Sequence, residues 1–281
     1  VLDCCAAPGG KGFAAAMQVP SFNYKVNRYP EAIAKLPQGV LLGTETASTL
    51  SSRGVYHFPV RQGKDVIHPD HQSSSYDVEA SSWANLPDDD FLADDSLDYN
   101  MGQFVWTGFD YLGEPAPYDT DAWPNHSSLY GIIDLASLPK DRYYLYRSRW
   151  NRADNTLHIL PHWTWPGREG EITPVFVYTN FPKAELFING KSQGMREKND
   201  STRQHRYRLM WNDVVYQPGE VTVVAYDAAG NRAAEQTVRT AGKPYALRLT
   251  SSVPALKADG EDLAYITVQA VDKAGNPVPY A

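Results

Sequence analysis

Glu45 sits in "GVLLGTETAS", just past a short apolar run and among small residues that leave room for a ligand. Trp106 and Asp110 follow a second apolar run in "GQFVWTGFDYLGEP". If both runs are parallel strands, these side chains gather at strand C-terminal ends, where α/β barrels place their reacting groups. A carboxylate at one strand mouth and an indole at another suit a sugar site. The carboxylate attacks or stabilises an oxocarbenium-like centre, and the indole face covers apolar C–H groups of the ring. The residues by themselves serve equally well as a solvated loop acid and a core aromatic. A different chemistry is offered by the opening "VLDCCAAPGGKG", where Cys4-Cys5 run into Pro8-Gly9-Gly10-Lys11, a glycine turn that would let backbone approach a cofactor beside a reactive thiol. That chemistry needs a complete Rossmann-like domain and a second catalytic cysteine further on. Cys4 and Cys5 are the only cysteines of the chain.

The elements that would position these groups alternate along residues 19–150. Strand-like "VPSFNY" (19–24) precedes "PEAIAKLP" (30–37), which reads as a short helix opened by Pro30 and stopped by Pro37. The apolar "GVLLG" (39–43) is of buried-strand type. "LPDDDFLADD" (86–95) places three aspartates at a helix start, where the dipole favours them. "GQFVWTGF" (102–109) reads as another strand and "PKDRYYLYRSRW" (139–150) as a closing helix. Such an order implies a parallel sheet with helices outside, and three units make at most half of an eight-stranded barrel. After Trp150 the texture becomes antiparallel β: "TPVFVYTN", "AELFINGKSQG", "HRYRLMW" and "EVTVVAYDAAGN" alternate apolar and polar residues, with Asn189-Gly190 as a hairpin signal. This predicts a β-sandwich. "VTVVAYDAAGN" (221–231) is echoed by "YITVQAVDKAGN" (265–276), which suggests two tandem sandwiches joined near residues 241–245.

Of the 281 residues, 21% are charged and the formal net charge is −7, a poor basis for holding a phosphate backbone, so no nucleic-acid partner is expected. Two adjacent cysteines make no disulfide framework. That suits the cytoplasm and equally a bacterial periplasm. No apolar run approaches membrane-spanning length. The chain starts at Val1 and its last β segment stops at Ala281, so it reads as a piece of a longer protein. The seven histidines show no paired metal-ligand spacing, and His57, His68, His71 and His126 read as surface or packing residues.

"FNYK", "RYPEAIAKLP", "LGTETASTLSSRGVYHFP", "SSWANLPDDDF", "GQFVWTGFDYLGEPAPY", "YGIIDLASLPKDRYYLYRSRW", "LHILPHWTW" and "PVFVYTNFPKAELFINGKSQG" occur in this order. Together they resemble glycoside hydrolase family 2, the β-galactosidase group, over roughly residues 12–281. The resemblance implies a multidomain protein. Residues 1–150 would be the C-terminal part of an α/β (TIM-type) catalytic barrel, with 1–11 atypical. Residues 151–241 would be an immunoglobulin-like β-sandwich, and 242–281 the start of a second. It implies Glu45 as catalytic nucleophile and Tyr24, in Phe-Asn-Tyr, as the tyrosine that bonds it. Trp106 matches the sugar platform. Asp110 would bind a hydroxyl or brace its loop, and Trp83 and Asn85 line the site or pack. No cofactor and no metal are implied. The second carboxylate of a retaining glycosidase should follow an Asn, and no Asn-Glu pair precedes Glu45, which places it upstream of residue 1. The expected activity is hydrolysis of terminal β-galactosides, by a periplasmic or secreted bacterial enzyme that could form a homo-oligomer. A β-glucuronidase would show Asn-x-Lys near the last barrel loop, where Asn125 is followed by His126-Ser127. A non-catalytic carbohydrate-binding or spacer module is the rival from another class, and a third is an RNA cytosine methyltransferase, whose cofactor turn residues 1–11 resemble.

Overall fold

The apolar run around Leu41 forms the middle strand of a three-stranded parallel sheet. In this computed structural model, which describes residues 17–118 and 126–280, β2 (Leu41–Ala47) lies between β1 (Ser21–Asn23) and β6 (Asn100–Trp106). The methyltransferase-like opening with Cys4 and Cys5, and Asn125, lie outside the described residues. Gly43 is needed in β2: a β-carbon there would stand 2.8 Å from the Tyr29 hydroxyl oxygen and 2.7 Å from Thr46 Cγ2. Tyr29 opens α1 (Tyr29–Ile33) and packs with Phe22, Leu41 and Ala93 in a small core under the sheet. The helix is shorter than the expected 30–37 and ends before Pro37. α2 (Pro87–Ser96) starts on Pro87 with Asp88, Asp89 and Asp90 in its first turn. α3 (Asp141–Trp150) has Asp141 in its first turn and Arg147 and Arg149 in its last, matching the helix dipole at both ends.

Between β2 and α2 the chain builds a small sheet that no periodicity announced. β3 (Thr49–Leu50), β4 (Gly63–Lys64) and β5 (Glu79–Ala80) pair in the order β3-β5-β4. Strands of two residues are too short to show a period.

Beyond α3 two antiparallel sheets share one core. One has the order β11-β8-β7, from β7 (Leu157–Leu160), β8 (Val175–Thr179) and β11 (Leu209–Trp211). The other has the order β10-β9-β12-β13, from β9 (Lys183–Ile188), β10 (Lys191–Glu197), β12 (Glu220–Tyr226) and β13 (Arg232–Arg239). Val175 and Trp211 of the first sheet meet Leu186, Val221 and Val223 of the second. Asn189 and Gly190 both take positive φ (49° and 76°), as a tight hairpin turn demands. "HRYRLMW" was expected to be extended throughout. Instead α4 (Arg203–Tyr207) occupies its first part, because the Thr202 hydroxyl caps it by accepting from the His205 N–H at 3.1 Å.

The repeated Asp-x-Ala-Gly-Asn segments fold alike. Asp227 Oδ1 accepts the Asn231 N–H at 2.8 Å, and Asp272 Oδ1 accepts the Asn276 N–H at 2.8 Å. The second copy follows β15 (Ile266–Val271), which pairs antiparallel with β14 (Ala246–Ser251). The whole is mostly β-sheet with few helices.

A mixed seam joins the parallel sheet's layer to the first antiparallel sheet. Tyr76, Phe91, Leu145 and Tyr146 pack against Phe176, Tyr178, Tyr207 and Met210. Buried ion pairs run through it: Arg142 to Asp77 at 2.9 Å, with Tyr178 also donating to Asp77 at 2.9 Å, and Arg208 to Asp88 at 2.5 Å. Arg142 donates as well to the carbonyls of Thr49 and Tyr130.

Candidate functional site

Parallel strands place their C-terminal ends on one side, and the register brings the candidate residues to that side. Asn23 pairs with Glu45, and Ala47 pairs with Trp106. Tyr24 follows β1 directly. Its backbone N–H donates to the Glu45 carbonyl at 2.6 Å, and its hydroxyl donates to Glu45 Oε2 at 2.8 Å. Burial, with the Glu45 carboxylate adding to it, pushes the Tyr24 phenol well above the usual tyrosine range. Tyr24 therefore stays protonated at neutral pH and serves Glu45 as a donor.

Both strand ends carry left-handed backbone without glycine. Tyr24 and Lys25 have φ of 57° and 55°, and Ala47 and Ser48 have 61° and 54°. Each such residue costs of the order of 1–3 kcal/mol, and such strain collects at functional sites. Around them a polar lattice locks the strands. Thr44 donates to Asn23 Oδ1 at 2.8 Å, Thr46 donates to Gln103 Oε1 at 2.7 Å, and Gln103 donates to Asp94 Oδ2 of α2 at 2.6 Å. These threonines and Gln103 were missed from sequence, since nothing in their spacing marks a cross-strand bond.

Trp83 sets its ring edge-on to Tyr24, 4.6 Å between centroids, and keeps 39% of its surface exposed. Asn85 is a brace. Its amide donates to Asp90 Oδ2 at 2.7 Å and its N–H to the Ala47 carbonyl at 3.1 Å, tying the end of β2 to the start of α2. Trp106 is half-buried, packs against Leu50, Leu129 and Tyr130, and donates from Nε1 to the Tyr111 hydroxyl at 3.3 Å. Tyr111 donates in turn to Glu114. Asp110 is buried, with Lys140 Nζ at 2.6 Å and the Gly131 N–H at 2.7 Å. Burial pulls the Lys140 ammonium down to about 8, and the Asp110 charge opposes that. The oxygens of Asp110 are thus engaged with the loop and with α3's N-terminal neighbour. His57 and His68, eleven residues apart, come together with Glu79 in the insert.

Residues 170–234 match a family described as a domain of unknown function, DUF4982. Over 274 residues the chain is 39% identical to the β-galactosidase BoGH2A of Bacteroides ovatus, covering 94% of this chain and 31% of that protein. A β-glycosidase structure from Bacteroides vulgatus superposes with a TM-score of 0.79 at 30% identity, covering 94% of this chain and 36% of that one. The resemblance to glycoside hydrolase family 2 is borne out. A protein named a putative β-glucuronidase, from Formosa agariphila, is 35% identical over 185 residues, 65% of this chain and 17% of its own length. The family 2 relatives are glycoside hydrolases, and this chain spans about a third of the two first named. Among the described residues no helix is long and apolar enough to cross a membrane.

Proposed function

We propose that the chain is part of a retaining exo-β-glycosidase acting on terminal β-galactosides, with Glu45 as nucleophile. The 39% identity to a β-galactosidase carries this reading. In it, residues 1–150 are the last part of a (β/α)8 barrel, 151–241 an immunoglobulin-like sandwich and 242–281 the start of another. A Glu45 oxygen attacks the anomeric carbon as the glycosidic bond breaks, giving a glycosyl-enzyme that water then hydrolyses. Tyr24 holds Oε2, which leaves the other oxygen for attack. Trp106 and Trp83 present flat surfaces to the sugar. Asp110 and Asn85 act by bracing loops, as their bonds to Lys140, Gly131, Asp90 and Ala47 support. The acid/base carboxylate belongs to chain outside residues 1–281. The enzyme works in the periplasm or outside the cell.

The second reading is a β-glucuronidase, favoured by the relative of that name. An aryl β-galactoside and an aryl β-glucuronide, offered to the intact protein, separate the two. Turnover of the galactoside that Glu45→Gln cuts by orders of magnitude, with a fluoro-sugar labelling Glu45 in the wild type, is the expected result. Labelling of another carboxylate would remove Glu45 from its role.

A further inference from the structure

The insert between β2 and α2 holds a second cluster of reactive side chains. His57, His68 and Glu79 each offer a ligand atom within 4.8 Å of the others. The two imidazoles lie face to face, 3.6 Å between centroids and 16° from parallel. His68 Nε2 bonds Glu79 Oε1 at 2.8 Å, and His57 Nε2 bonds Asp70 Oδ2 at 2.9 Å. Among the described residues, His57 Nδ1 is buried with no hydrogen-bond partner. Glu79 Oε2 accepts the Ser74 N–H at 3.1 Å, which fixes the carboxylate.

Glu79's side chain is only 4% exposed, and among the described residues the ion pairs of Asp70 and Glu79 run to these two histidines and to no lysine or arginine. A divalent cation held by this cluster would offset the buried Glu79 carboxylate.

We propose that His57, His68 and Glu79 form a binding site for a divalent transition-metal ion of the zinc type, with Asp70 as the outer carboxylate that orients His57. With Nε2 engaged by Asp70, Nδ1 is the atom of His57 left to ligate, the usual carboxylate–histidine–metal arrangement. Two imidazoles and one carboxylate select first-row metals such as Zn²⁺ over Mg²⁺ or Ca²⁺, which take oxygen ligands. Ligand atoms on a tetrahedral ion with bonds of ~2.0–2.2 Å stand about 3.3 Å apart, so the rings turn out of their stack as the ion enters. Both rings are partly exposed and water completes the coordination. The ion ties residues 57–79 together. Glu79 pairs with Leu50 of β3, the strand that follows β2 and Glu45. The site therefore stiffens the wall behind the nucleophile strand.

The test is a calorimetric titration of the intact protein, stripped with chelator, using Zn²⁺ alone and Mg²⁺ alone. One equivalent of Zn²⁺ is expected to bind and to raise the melting temperature, as any ligand of the folded state does. Mg²⁺ should do neither. His57→Gln and His68→Gln should each weaken Zn²⁺ binding at least ~10–100-fold, since even outer partners cost that much. Circular dichroism of the metal-free variants shows that they fold. Should a variant not fold, Co²⁺ added to the wild type gives an independent reading: visible bands of a four- or five-coordinate N/O site support the proposal, and their absence overturns it. Zn²⁺ affinity unchanged in the His57→Gln/His68→Gln double variant also overturns it.

Discussion

At the scale of single residues, the site depends on hydrogen bonds whose partners are known. Tyr24 donates one to a carboxylate, and bonds to charged groups are worth about 1.5–3 kcal/mol. Tyr24→Phe should therefore lower kcat/KM of the intact enzyme by roughly 10–150-fold at little cost in stability, because the ring and its contact with Trp83 remain. Equal loss of melting temperature and activity would make Tyr24 a packing residue. Trp106 poses the opposite question, since it is both wall and filler. Half-buried as it is, its replacement by Ala should cost about 1–3 kcal/mol, below the full core penalty, while under the proposed function KM for an aryl β-galactoside rises. A collapse of the fold with KM unchanged in the remaining active fraction would remove its platform role. The place of Glu45 and Trp106 after apolar runs marked them only as candidates, and their proposed roles, like that of Tyr24, came through the resemblance. The bracing of Asp110 by Lys140 was not legible, because 30 residues separate partners that only the loop after β6 brings together.

At the scale of elements, close backbone approach decides what the sequence tolerates. Gly131 lies where the loop after β6 returns past Asp110. A β-carbon there would stand 2.2 Å from the Asp110 nitrogen, 2.5 Å from the Ile133 oxygen and 2.6 Å from the Phe109 carbonyl carbon. All three are backbone atoms and none can swing away. Gly131→Ala should destabilise by at least ~1–3 kcal/mol and reduce activity with it, as seen by thermal melting beside an assay. An unchanged melting temperature would mean the loop is softer than its geometry indicates. The order of strands and helices in residues 19–150 was readable because apolar runs, proline and acidic first turns agree. The small sheet β3-β5-β4 was not, and "HRYRLMW" was misjudged because a Thr cap outweighed its alternation.

At the scale of the molecule, the seam between the layers is rich in buried phenols. Burial raises Tyr56, Tyr76, Tyr146 and Tyr178 well above the ordinary tyrosine value. The folded state then keeps protons that the unfolded chain releases near pH 10. Where the unfolded state binds fewer protons, stability falls as pH rises. Stability should accordingly be level with respect to these groups below about pH 10 and drop steeply above it, with phenolate absorbance appearing together with loss of circular dichroism. Phenolate absorbance that grows smoothly while the fold persists would contradict this. The proposed function adds that the 281-residue polypeptide alone should not turn over aryl β-galactosides, for want of a proton donor to the leaving oxygen. Turnover by it, abolished in Glu45→Gln, would show that a carboxylate such as Asp110 or Glu114 supplies the proton.

The sequence by itself determined the alternation of strands and helices up to Trp150, the antiparallel texture after it and the paired Asp-x-Ala-Gly-Asn turns, and it offered Glu45 as a candidate carboxylate. These are local properties: residue period, turn chemistry and small neighbours act over a few positions. The bond from Tyr24 to Glu45 was implied by the family resemblance and is made by the register of β1 on β2, while tertiary structure alone decided that Asp110 faces Lys140 and that His57 and His68 stack beside Glu79. Each of those contacts is fixed by strand register or by an insert closing on itself, and registers are set by the packing of whole layers, which no short stretch of residues encodes.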